Sequence, residues 1–222
     1  MKEKRWLACT DPQKMLDFLK GKASGRKLRL FAAACSRRVW HLLTEEALRQ
    51  GIQLAERYAD GLATEDDLVR AIAAIATACG DQNGVLRLHE APPATSAAFD
   101  TVSPPSVSGN NILPARLAAI NAATDAGAVA RQADLIRDLF GNPFRHVSVS
   151  PDWQSPQVVA LAQAAYDQRE LPAGTLDATR LAVLADALEE AGCTDQTILD
   201  HLRGPGPHVR GCWAVDLLLG KA

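Results

Sequence analysis

Four side chains in the last thirty residues of this 222-residue chain are of metal-binding type: Cys193, His201, His208 and Cys212. Thiolate and imidazole are the donors that zinc prefers, and four of them complete a tetrahedral structural site. His208 and Cys212 stand four apart at what reads as the start of a helix, so they share a face. Cys193 and His201 are eight apart across a helix start, and no Cys-x-x-Cys pair occurs. The alternative is that both cysteines are small buried apolar residues and the histidines hydrogen-bond near a turn. No cofactor is expected, with zinc the one alternative that donor type and spacing leave open.

The same region suggests an anion site. Gly204-Pro205-Gly206-Pro207 reads as a sharp turn into a helix N-terminus flanked by Arg203, His208 and Arg210. Free amides, the helix dipole and two guanidiniums suit a phosphate or carboxylate. Proline, however, removes amide donors, and Asp200, Asp216, Glu189 and Glu190 are alternative partners for the arginines.

The third cluster is basic. Residues 1–40 carry eleven Lys or Arg against three acids, a net of +8, while the remainder carries −10. Arg26, Lys27, Arg29, Arg37, Arg38 and Trp40 fall on or beside one helix. They are the expected contact surface for an acidic protein or for nucleic acid, with Trp40 available to stack on a base. The competing reading is a charge split satisfied inside the fold. Enzyme signatures are lacking: Gly21-Lys22-Ala23-Ser24 has neither the spacing nor the order of a phosphate loop. There is no Gly-x-Ser-x-Gly and no His-Glu-x-x-His.

The elements that must position these groups read as helices. Asp11-Pro12 opens one to about Lys20, and a stripe of Leu28, Phe31, Cys35, Val39 and Leu42 predicts another over 26–43. Thr44 reads as the N-cap of a helix ending at Gly61, and Thr64 with Asp67 as a capping box for one ending at Gly80. Pro/Ser-rich residues 81–113 read as a loop or linker. Pro114 begins a long helical stretch to Phe140, and 146–150 reads as a short strand or an extended connector. Helices follow over 156–169, 177–191 and 194–202, the last capped by Thr194, and a final one over 208–219. The expectation is all-α, with about eight or nine helices. The regions are a basic helical 1–80, the linker 81–113 and a helical 114–222, with the two helical regions possible as one domain.

Composition agrees. The chain is 47% hydrophobic and 23% charged, and rich in alanine, which loses no side-chain entropy in a helix. No apolar run approaches the ~18 residues of a membrane span. Five cysteines at irregular spacing, with no export signal, read as reduced thiols in the cytoplasm.

Two blocks resemble a family of uncharacterised bacterial proteins numerous in planctomycetes. The first is Trp6-Leu7-Ala8-Cys9-Thr10-Asp11-Pro12, continuing through Lys27-Leu28-Arg29-Leu30-Phe31-Ala32 to Trp40-His41-Leu42-Leu43. The second runs from Leu184 to Cys193 and on through His201-Leu202-Arg203-Gly204-Pro205-Gly206-Pro207-His208-Val209-Arg210-Gly211-Cys212-Trp213, and Phe140-Gly141-Asn142-Pro143-Phe144 also fits. The resemblance spans both ends of the chain and hardly touches 81–113. It implies a bacterial, cytoplasmic protein and brings no activity with it. The combined expectation is a non-enzymatic helical adaptor that binds another protein through its basic N-terminal helix. A nucleic-acid accessory protein and a structural-zinc module are the alternatives.

Overall fold

The computed structural model describes residues 1–80, 87–108, 112–124 and 126–221. Their helices are α1 (Glu3–Leu7), α2 (Pro12–Leu19), α3 (Gly25–Arg38), α4 (Glu46–Ala59), α5 (Glu65–Cys79), α6 (Pro93–Val102) and α7 (Pro105–Ser108). They continue as α8 (Ile112–Asn121), α9 (Ala126–Phe140), α10 (Pro156–Asp167), α11 (Ala178–Glu190), α12 (Gln196–Arg203) and α13 (Trp213–Leu218). Two single-turn 3-10 helices add to them, and no strand occurs among the described residues, only isolated bridges at Glu170–Thr175 and Thr175–Val209. The all-α class holds, with more helices than the eight or nine expected. Among the described residues, no helix is long and apolar enough to cross a membrane.

Local chemistry sets most of the helix starts. Asp11 accepts the amides of Gln13 and Lys14, and Ser24, Ser155 and Asp177 each accept an amide in the following turn. The Thr64–Asp67 capping box is present in both directions. Two expected caps shift by one residue: Glu45, not Thr44, precedes α4, and Asp195, not Thr194, caps α12.

The chain divides into two compact units, Cys9–Ala133 and Met1–Ala8 with Asp134–Ala222. This is not the 1–80, 81–113 and 114–222 division read from composition. In the first unit α3 is the centre, packed by α4, α6 and α8, and every residue from Lys27 to Arg37 is buried. Its charges therefore point into protein. The Arg37 guanidinium makes a two-point contact with the Glu56 carboxylate, 2.7 Å and 2.8 Å, with both side chains buried. Arg29 donates to the carbonyls of Thr101 (2.9 Å) and Ser103 (3.0 Å), the end of α6 where carbonyls lack helical partners. Arg26 pairs with Asp60 at 2.8 Å. Arg38 and Trp40 are half-buried, with Trp40 lying against Arg37.

The expected partner surface is corrected accordingly. Lys27, Arg29 and Arg37 are interior residues, and Arg26 is held by an internal carboxylate. Part of the charge split is met inside the unit, where Arg26 and Arg37 face Asp60 and Glu56.

The expected linker is corrected as well. Its described part holds α6, which is packed against α3, α4, α5 and α8. Residues 81–86 and 109–111 of that stretch lie outside the described residues. A helix of small residues (Ala94, Thr95, Ser96, Ala97, Ala98, Thr101) buried on most sides has no amphipathic stripe to betray it. Gly51 of α4 allows the close approach: a Cβ there would sit 2.8 Å from Val102. The stretch from Pro114 to Phe140 is two helices, α8 and α9, and 146–150 is an extended connector.

Asp100, on α6, is buried with the Asn121 side-chain amide donating to it at 2.9 Å. Burial pushes its carboxyl up to about 6, with the Asn121 bond opposing the rise. An acid raised on folding favours the folded state while protonated. That contribution is complete below the ordinary carboxylate range and is lost as pH rises through about 6. A shift of this size corresponds to about 2–3 kcal/mol. Asp100→Asn is neutral at every pH and should stabilise this unit by up to that amount at pH 8 and by almost nothing at pH 4. Denaturant melts at the two pH values measure the difference.

Candidate metal centre

In the unit of Met1–Ala8 and Asp134–Ala222, α10 to α13 close over a core that includes Val158, Ala162, Leu181, Leu188, Leu199 and Val215. The expected final helix over 208–219 is shorter, Trp213–Leu218. Residues 208–212 form a turn, in which Val209 bridges to Thr175 and Gly211 takes a positive φ of 93°. No helix N-terminus follows directly on Gly204–Pro207, so the anion cradle expected of Arg203, His208 and Arg210 is corrected. Arg203 is paired with Asp186 and Glu189, His208 with Asp138, and Arg210 lies over the Tyr166 ring.

His201, near the end of α12, and His208 and Cys212, on either side of the turn, come together, although His208 and Cys212 do not share a helix face as the spacing suggested. The fourth member is Asp138 of α9, and one donor atom from each of the four lies within 4.8 Å of the others. Asp138 Oδ1 is 2.8 Å from His208 Nδ1 and 3.2 Å from His201 Nε2, which is itself 3.2 Å from Cys212 Sγ. Cys193 takes no part: it is buried in the apolar core, as a small hydrophobe would be.

The far side of two of these groups is fixed by backbone. Asp138 Oδ2 accepts the Val209 amide at 2.9 Å, which leaves Oδ1 facing the cluster. His208 Nε2 is 3.2 Å from the Gly204 carbonyl; a proton donated there leaves Nδ1 with its lone pair facing inward. Metal-ligating histidines typically show this arrangement, the second ring nitrogen donating to a carbonyl or carboxylate. Four ligands around zinc would stand roughly 3.3–3.6 Å apart. The closest pair, at 2.8 Å, would open by about half an ångström, and the widest, at up to 4.8 Å, would close by about an ångström.

The electrostatics are those of groups competing for protons. Burial alone would raise the Asp138 carboxyl, but hydrogen bonds from His201 and His208 outweigh it and hold the acid below the usual range. Burial works against a charged His208, yet its bond to Asp138 raises it above an ordinary imidazole. Burial, and then the nearby Asp138 charge, drive the Cys212 thiol well above its usual value. A nucleophilic cysteine requires the opposite, a lowered pKa and exposure. Nor is this a catalytic triad, because His201 meets both Asp138 and Cys212 through the same nitrogen. The arrangement can hold a cation.

The chain matches no family model, no curated protein and no solved structure.

Gly141 closes α9 behind the cluster, and its carbonyl accepts the indole N–H of the fully buried Trp6 at 3.1 Å. At φ 62°, a Cβ here would also meet the Trp213 indole at 3.1 Å, and Trp213 lies 4.9 Å from the His201 ring. Gly141→Ala should cost this unit about 1–3 kcal/mol through strain and displacement of Trp213. Tryptophan fluorescence during unfolding reads both the loss and the altered indole environment.

Proposed function

We propose that the unit of Met1–Ala8 and Asp134–Ala222 is a metal-stabilised helical module. It binds one zinc ion through Asp138 Oδ1, His201 Nε2, His208 Nδ1 and Cys212 Sγ, and the chain acts as a non-enzymatic scaffold. The observation that carries the reading is the convergence of a carboxylate, two imidazoles and a thiol from two helices and a turn, with Asp138 and His208 tied back to the main chain. A buried carboxylate is costly to assemble unless something satisfies it. Four protein donors describe a closed structural centre, whereas a catalytic zinc keeps one position for water.

The test is metal content and cobalt substitution of the intact protein. Elemental analysis of protein purified without chelator should give one zinc per chain. Co(II) titration should produce tetrahedral visible bands and a thiolate charge-transfer band saturating at one equivalent, and Cys212→Ala should abolish the latter. A zinc content near zero together with a featureless cobalt titration rejects the reading. It would leave a buried His208–Asp138 ion pair as the purpose of the cluster.

A further inference from the structure

The four donors are not equivalent. Cys212 is completely buried, and the side chains of Asp138 and His208 are 3% and 5% exposed, whereas that of His201 is 20% exposed. Asp138 and His208 each have a backbone anchor. Among the described residues, no backbone group holds His201: its polar contacts are Cys212 and Asp138, and its ring rests on Trp213 and His208. It also stands near the end of α12, where helices fray, with Gly204 immediately beyond the last residue.

A cavity of about 260 Å³ opens against Asp138, His201 and His208, with Asp134, Asp200 and Arg137 on its wall. Arg137 is engaged by Asp134 at 2.7 Å and by the Trp6 carbonyl, and Asp138 faces His208, which leaves the exposed Asp200 to set the sign of the field. A concave acid-lined wall concentrates cations and speeds their arrival.

We propose that His201 is the exchangeable ligand of the centre, releasing and regaining the ion at this cavity while Asp138, His208 and Cys212 stay in place. The unit then loads and unloads a free divalent cation along the Asp200 side. This inference rests on the metal reading above and adds exchange to it. A fixed structural zinc becomes one whose occupancy follows the available metal. The cavity gives the ion a path that does not require the apolar core to open.

Stopped-flow exchange of Co(II) with the full-length protein tests this, loading with the metal alone and unloading with excess EDTA. His201→Ala and His201→Gln should still bind one Co(II) with the thiolate band, and should lose it about tenfold or more faster than the unsubstituted protein. Cys212→Ala and Asp138→Ala should fail to form the centre. Asp200→Asn should keep the stoichiometry and the spectrum but load about two- to fivefold more slowly at low salt, the difference vanishing as salt screens the field. Hydrogen exchange of α11 confirms that each variant is folded. If both His201 variants lose the centre as fully as Cys212→Ala, or if Asp200→Asn loads at the normal rate at every ionic strength, the exchange route is wrong even though the metal centre stands. If the unsubstituted protein takes up no Co(II), the metal reading itself falls and the exchange route with it.

Discussion

Stripping the metal should lower the unfolding temperature of the unit that contains α10–α13 and leave the Cys9–Ala133 unit unchanged. An ion that binds only the folded form contributes about 4 kcal/mol at a free concentration a thousand times its Kd. In a unit of roughly 100 residues that is a shift of about 15–30 °C. Because the two units need not unfold together, hydrogen exchange followed separately for α3 and α11 is a better readout than a single melt.

The pH dependence carries a sign. Metal binding requires His208 and Cys212 to give up protons, so the stabilisation by metal grows as pH rises. The stripped unit behaves differently. The raised His208 contributes stability that is complete below the ordinary imidazole value and is lost as pH rises through its higher folded value. The lowered Asp138 contributes stability present above the ordinary carboxylate range and lost as pH falls through its lower folded value. The stripped unit is thus best supported in the mildly acidic window between those two transitions. The gap between loaded and stripped protein should widen from pH 6 to pH 8. A chelator that moves neither unit at any pH would contradict this.

The second large effect belongs to Arg37. Removing one partner of a buried ion pair strands the other charge, at a cost of about 3–5 kcal/mol. Arg37→Ala should destabilise the Cys9–Ala133 unit by that amount, since Glu56 is enclosed with it between α3 and α4. The double variant Arg37→Met with Glu56→Leu, which removes both charges and keeps much of the volume, should recover most of the loss. Denaturant melts give both numbers. A loss below about 1 kcal/mol for the single variant would place the pair among ordinary exposed salt bridges. For the same reason, charge reversal at Arg37 would unfold this unit rather than report on a binding surface.

Much of the helical layout was legible because it is written in short-range chemistry. Asp11, Thr64, Ser155 and Asp177 mark helix starts through bonds to amides two or three residues away, and Gly61 and Gly192 mark ends through positive φ. What α3 packs against was not legible. Its stripe of Leu28, Phe31 and Cys35 shows one apolar face, but α6, whose small residues carry no stripe of their own, covers another face and turns Arg29 inward.

The candidate metal site divides in the same way. His201, His208 and Cys212 could be picked by donor type. Asp138 was missed because it lies sixty-three residues before His201 and looks like any surface acid. Its signal was available in register: Leu135, Ile136 and Leu139 around it are all buried, so the acid occupies the inner face of α9. Cys193 has the right donor and the wrong register.

Trp6 carries a last consequence. It is bound to Gly141, so residues 1–8 complete a unit whose other residues begin at Asp134, and the whole Cys9–Ala133 unit is spliced into it as an insert. During synthesis the inserted unit is finished first. The opening helix must wait, its indole uncovered, until more than 120 further residues have emerged. A fragment starting at Asp134 would be born with a tryptophan-sized hole, which a separately supplied peptide of residues 1–8 should fill.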